Sequence, residues 1–164
     1  MAYTSGKGGG AASFSYAYSA SSNTAGANQD AFTDSDPYAS YTYGTADYMT
    51  DMAYSHANTS LSGSETITLS ALVTPGGTLA LVKVRELYLR NLSSTSSIVI
   101  GNAAIHAWTG AFSGTVTIPP LGCIRLNAPA GSSYGVTAGS NDQLMINCPS
   151  GTGNYVLGIL GASA

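Results

Sequence analysis

From residue 61 onward, apolar and polar positions alternate with the period of a strand. In residues 65–73, Ile67, Leu69 and Ala71 alternate with Thr and Ser, which predicts a half-buried strand. Pro75-Gly76-Gly77 predicts the turn that follows. In residues 78–92, Val82 and Val84 share one parity while Leu87 and Leu89 share the other. The phase slips between Arg85 and Glu86, and a β-bulge or strand break there would return both pairs to a core. Residues 97–100 read as a short buried strand closed by Gly101-Asn102. Residues 104–108, 115–118, 123–126, 134–137, 143–146 and 155–160 complete the set. The clearest breaks are Pro119-Pro120-Leu121-Gly122 and the Pro/Gly-rich residues 149–154. No stretch carries apolar residues at period 3.6 between caps. About nine or ten short strands predict an all-β antiparallel sandwich, jelly-roll-like or a small barrel.

The first 60 residues behave differently. They contain no Leu, Ile or Val, whereas residues 61–164 contain 13 Leu, 8 Ile and 7 Val. Cores are built mainly from these side chains, so residues 1–60 cannot build one of their own. Eight of the eleven Tyr lie there instead, among Ser, Ala, Gly, Thr and Asn. Phe14, Tyr16 and Tyr18 recur at spacing two, as do Tyr41 and Tyr43, which places each set on one face of an extended chain. The expected organisation is an extended arm over residues 1–60 and a β-sandwich over 61–164. Phe14, Tyr16, Tyr18, Phe32, Tyr38, Tyr41, Tyr43 and Tyr48 are the candidate assembly contacts, because tyrosine joins large contact area to a hydroxyl that can stay wet.

Charge narrows the partners. Five basic and eight acidic residues make up 8% of 164 residues, and the net charge is −3. Nucleic-acid binding needs a basic patch to meet phosphates, and this balance argues against it. The arm holds Lys7 against Asp30, Asp34, Asp36, Asp47 and Asp51, a net −4; the remainder holds four basic and three acidic residues, a net +1. A chain with so few charges suits life packed against other chains. No apolar stretch reads as a signal peptide or membrane span, so synthesis in the cytoplasm without membrane contact is expected. Cys123 and Cys148 match no zinc spacing; they read as buried thiols on two strands, with one disulfide between neighbouring strands as the alternative.

Other motifs carry little chemistry. Gly131-Ser132-Ser133-Tyr134-Gly135 fits the G-x-S-x-G pattern, but His56 and His106 both precede Ser133 and no helix follows. It reads as a turn. Gly6-Lys7-Gly8-Gly9-Gly10 lacks the strand, Lys-Ser/Thr ending and helix of a phosphate loop. Asp30, Asp34 and Asp36 beside Asn28 lack the Gly and distal Glu of a calcium loop and read as a solvated turn. His106, near Trp108 in an expected strand, reads as a structural residue. Asn58-Thr59-Ser60 and Asn91-Leu92-Ser93 are formal glycosylation sequons. No catalytic residue, metal ligand or cofactor is expected.

The second half does resemble a known group. Arg85-Glu-Leu-Tyr-Leu-Arg-Asn-Leu-Ser93 leading to Ile98-Val-Ile-Gly101, then Ile118-Pro-Pro-Leu-Gly122, is similar to small virion proteins of tailed bacteriophages. Tyr134-Gly-Val-Thr-Ala-Gly-Ser140, Asp142-Gln-Leu-Met-Ile-Asn147 and Tyr155-Val-Leu-Gly-Ile-Leu-Gly161 extend the likeness, which covers roughly residues 80–162 and leaves out the arm. The resemblance implies a jelly-roll-like virion component: a capsid decoration or cement protein, or part of a fibre. Its partners would be copies of itself, with three-fold association implied, and other virion proteins such as a major capsid protein. The alternatives are a carbohydrate- or receptor-binding module using Trp108 and Tyr134, and a subunit of a self-assembling extracellular filament.

Overall fold

The computed structural model describes residues 42–43, 49–50, 52–74, 77–128 and 133–163. In chain order the strands are β1 (Thr42–Tyr43), β2 (Met49–Thr50), β3 (Met52–Thr68), β4 (Leu72–Thr74), β5 (Gly77–Leu79) and β6 (Lys83–Asn91). They continue with β7 (Ile98–Asn102), β8 (Thr115–Ile118), β9 (Cys123–Asn127), β10 (Tyr134–Gly135) and β11 (Gln143–Ala162). A single 3-10 turn, Leu69–Ala71, separates β3 from β4. Among the described residues there is no α-helix, and the fold is the expected all-β, antiparallel, sandwich-like one.

Two long strands organise everything else. β3 and β11 run antiparallel from Met52 opposite Gly161 to Thr68 opposite Gln143. On its other edge β11 changes partner: residues 144–147 pair with β7, and residues 155–162 pair with β6. β8 extends the first half beyond β7, while β9 and β10 share the outer edge of β6. The sheet therefore consists of two halves that share β3 and β11, one continuing through β7 to β8 and the other through β6 to β9 and β10. It curls so that Ile98, Ile100, Leu144 and Ile146 of one half enter the same core as Leu87, Leu89, Leu157 and Ile159 of the other.

The curl is made by local irregularity. Opposite Ser62, β11 carries residues 149–152, and its register shifts between Cys148 and Gly153. Leu144, Ile146 and Cys148 point inward at even positions, whereas Gly153, Tyr155, Leu157 and Ile159 do so at odd ones. Gly63 and Gly151 both adopt φ of +77° at this corner, a conformation that glycine reaches without steric cost. The Pro149-Ser-Gly-Thr-Gly stretch, expected to separate two strands, is instead the bend within one. Its glycines let the backbone turn while the ladder to β3 resumes beyond it.

The bulge anticipated near Arg85 is present. Leu160 pairs with Glu86 and Gly161 with Val84, so Arg85 is the extra residue. Val84, Leu87 and Leu89 are all fully buried as a result. Val82 lies outside β6 and is exposed, so only one member of that expected pair reaches the core. Gly161 is required at the bulge: a Cβ there would overlap the Lys83 carbonyl oxygen and meet Leu81. Arg85, Glu86 and Tyr88 are buried too, so β6 is covered on both faces.

Other expectations need correction. The composition break at residue 60 falls within β3, and Tyr54 belongs to the core. An aromatic side chain fills that position where the second half uses aliphatics. Residues 104–108 form no strand; Ala107 makes one isolated bridge to Gln143. Residues 134–137 supply only the two-residue β10. Cys148 is buried but Cys123 is exposed on the edge strand β9, and both thiols are free.

Candidate functional site

Of the arm aromatics, Phe14, Tyr16, Tyr18, Phe32, Tyr38, Tyr41 and Tyr48 lie outside the described residues. The backbone of Tyr43 pairs with Thr50 in the parallel β1–β2 ladder. Asp30, Asp34, Asp36, the Gly6–Gly10 glycines and Lys7 also lie outside them. Among the described residues, polar side chains gather at three hubs.

The first hub is Glu65, next to the corner of β3. Because β3 turns at residues 61–63, residues on its two arms come together. His56 Nε2 lies 2.8 Å from Glu65 Oε1, and Asn58 Nδ2 donates to Oε2 at 2.7 Å. The Tyr155 hydroxyl donates to Oε2 at 2.8 Å from the neighbouring strand. Tyr54 stacks on His56 with ring centroids 6.2 Å apart. Partial burial pushes the Glu65 carboxyl upward, but the hydrogen bonds from Asn58 and Tyr155 and the nearby His56 together hold it below its ordinary value. Burial, then the hydrogen bond to Glu65 and its charge, raises the Tyr155 hydroxyl far above the usual phenol range. Tyr155 is therefore a fixed hydrogen-bond donor, and the hub is a brace across the bend.

This brace depends on pH with a definite sign. Glu65 binds its proton more weakly when folded than when unfolded, so its contribution is complete above the ordinary carboxylate range of about 4.3. It is lost as pH falls through the lower, folded value. Glu65→Gln should cost about 1–3 kcal/mol at pH 7. It should also flatten the fall in unfolding midpoint between neutral and acid pH, read by denaturant titration. A slope equal to that of the parent chain would refute the assignment.

The second hub joins Ser70, Asp142 and His106. The Ser70 hydroxyl donates to Asp142 Oδ2 at 2.6 Å, and the Gly139 N–H donates to the same oxygen at 2.9 Å. His106 Nδ1 lies 3.9 Å from Asp142 Oδ1. Burial raises the Asp142 carboxyl, but the bonds from Ser70 and Gly139 and the nearby His106 outweigh it and leave it below its ordinary value. The residue types are those of a hydrolase triad, but their order is not. A triad needs histidine between the hydroxyl and the carboxylate, to take the hydroxyl proton. Here the carboxylate stands in the middle and Ser70 has no base. His106 sits in a bend at φ +52°, exposed, rather than in the expected strand. Its carbonyl accepts from Asp142 N and Gln143 N, so the hub ties the loop after β7 to the start of β11.

The third hub is Asn91, fully buried at the end of β6. Its Nδ2 donates to the carbonyls of Ser96 at 2.8 Å, Pro119 at 3.0 Å and Ile118 at 3.3 Å. Its Oδ1 accepts from Ser93 N at 3.0 Å. This sequon asparagine is thus occupied by backbone on every side and holds two loops together. Asn58, the other sequon asparagine, is bonded to Glu65 and to Ser60 N. Elsewhere, Glu86 is paired with Arg125 at 2.6 Å across β6 and β9.

Trp108 is completely buried, its Nε1 donating to Gly135 O at 2.9 Å and its ring edge-on to Tyr134 and Phe112. It presents no face on which a sugar could stack, so the groove imagined with Tyr134 does not form around it. Among the described residues no group of three or more His, Cys, Asp or Glu could hold a metal ion, and no helix is long and apolar enough to cross a membrane. Neither the family models, the curated proteins nor the solved structures include a match to this chain.

Proposed function

We propose that the protein is a structural component of a virus particle, whose N-terminal segment braces neighbouring subunits of a shell or fibre. The observation that carries this reading is the division of the chain. All Leu, Ile and Val side chains fall between residues 61 and 160, while the N-terminal segment offers aromatics among Ser, Ala, Gly, Thr and Asn. The polar hubs support it by their chemistry, since each fastens backbone elements together. Exposed aromatics in a free segment gain little alone, but at an interface they anchor binding, each worth about 1 kcal/mol or more on truncation. The likeness of residues 80–162 to small tailed-phage virion proteins points the same way.

The test compares two variants of the full chain. Replacing Phe14, Tyr16 and Tyr18 together with Ser should weaken assembly at least tenfold while leaving the monomer's melting temperature nearly unchanged. Replacing Ser15 and Ser19 with Ala should do neither. Immunogold labelling of particles released from the producing cells should decorate them. Undecorated particles with soluble chain in the lysate, or equal effects from both variants, would overturn the proposal.

A further inference from the structure

We infer that the open edge of β8 receives residues 14–18 of a neighbouring copy as an added strand. The inference rests on the reading of the N-terminal segment as a link between copies, and it names the surface that segment meets.

The edge is unusual in its chemistry. From 91 to 124 the sequence contains no Asp, Glu, Lys or Arg, a span that includes β7 and β8 entirely. Edge strands are ordinarily guarded by charge, proline or a bulge, because unpaired backbone groups recruit other strands. β9 carries Arg125 and β3 carries Glu65, but Thr115-Val116-Thr117-Ile118 carries no such guard. Among the described residues β8 pairs with β7 alone.

The register shows what such an edge would accept. Val116 lies opposite Ile100 and Ile118 opposite Ile98, and directly opposed residues share a face. Ile98, Ile100 and Ile118 are buried in the core, yet Val116, on the same inward face, is 40% exposed. On β8 the core covers Ile118 but leaves Val116 partly open. Thr115 and Thr117 form the outward face and are exposed. An added strand should therefore offer large apolar groups on one parity and small or polar ones on the other. Residues 14–18 have that pattern: Phe14, Tyr16 and Tyr18 against Ser15 and Ala17. They lie in an uncharged stretch, residues 8–29, that matches the uncharged edge. The residues between 18 and 42 could span up to roughly 80 Å when extended, enough to reach another copy.

Parity makes the test sharp. In the full chain with Cys123→Ser, the pair Ser15→Cys and Thr117→Cys puts both thiols on the outward face. Under copper-catalysed oxidation this variant should form disulfide-linked multimers on a non-reducing gel. The pair Tyr16→Cys and Thr117→Cys, on opposite faces, should form at least tenfold fewer. Thr117→Lys alone should raise the concentration needed for self-association at least tenfold without changing the melting temperature. A link within one chain would place the segment on its own subunit's edge, and dimers from Thr117→Cys alone would show the edge pairing with itself; either overturns the inference. If Thr117→Lys associates normally while the triple aromatic variant does not, the edge assignment fails and the arm reading stands. If the parent chain does not associate at all, both fail.

Discussion

A chain beginning at residue 61 should not fold, whereas one beginning at residue 42 should fold cooperatively and remain monomeric. Removing residues 52–60 strips β3 from residues 155–161 of β11 and takes Tyr54 out of the core. It also removes His56 and Asn58 from Glu65, leaving the half-buried carboxylate with Tyr155 alone among the partners of that hub. Losing a buried aromatic costs about 3–5 kcal/mol, and small domains hold only about 5–15 in total. The lost strand pairing adds to this. Denaturant unfolding followed by circular dichroism checks both chains. A cooperative transition at the parent midpoint for the shorter chain would mean that the sheet closes without the first half of β3.

Asn91→Ala should be the most damaging single substitution at a polar position, at about 3 kcal/mol or more. The cost follows from asymmetry: removing one donor leaves three buried or half-buried carbonyls without it, each at about 1–3 kcal/mol unless water enters. The loop after β6 and the turn after β8 would separate, because Ser93, Ser96, Ile118 and Pro119 all meet at this amide. The measurement is the midpoint shift on denaturation, with Ser93→Ala as a milder comparison. A loss under 1 kcal/mol would show that the loops hold by other means.

Asn91 also shows what a sequence can and cannot disclose. From sequence, Asn91-Leu92-Ser93 was legible only as a sequon, and nothing in it foretold the buried amide that ties two loops together. The bulge at Arg85 was legible because alternation keeps its phase unless a residue is inserted, which is a local signal. The fusion of residues 143–162 into one strand was not legible, because Pro149 and the glycines after it read as a terminator. Only the partner strand, about 90 residues away in sequence, keeps the ladder continuous across them. The role of residues 52–60 was hidden for the same reason. Their core residue is Tyr54 rather than an aliphatic, and their polar side chains find a purpose only once β3 bends back on itself. The Ser70–Asp142–His106 hub shares this limit, since no spacing within the chain foretells which of three residues stands in the middle.

The pairing of β3 with β11 bears on force as well as on stability. Met52 sits opposite Gly161, so the chain entering β3 and the chain leaving β11 emerge side by side. Tension between those two points would open the ladder like a zipper, one rung at a time. Tension applied at the start of β3 against an anchor at β8 would instead load the long ladder in shear, with its rungs strained together. Forced opening is governed by the height of the unfolding barrier rather than by equilibrium stability. A subunit tethered by its N-terminal segment would thus resist a pull toward its far edge much better than one that parts its two ends.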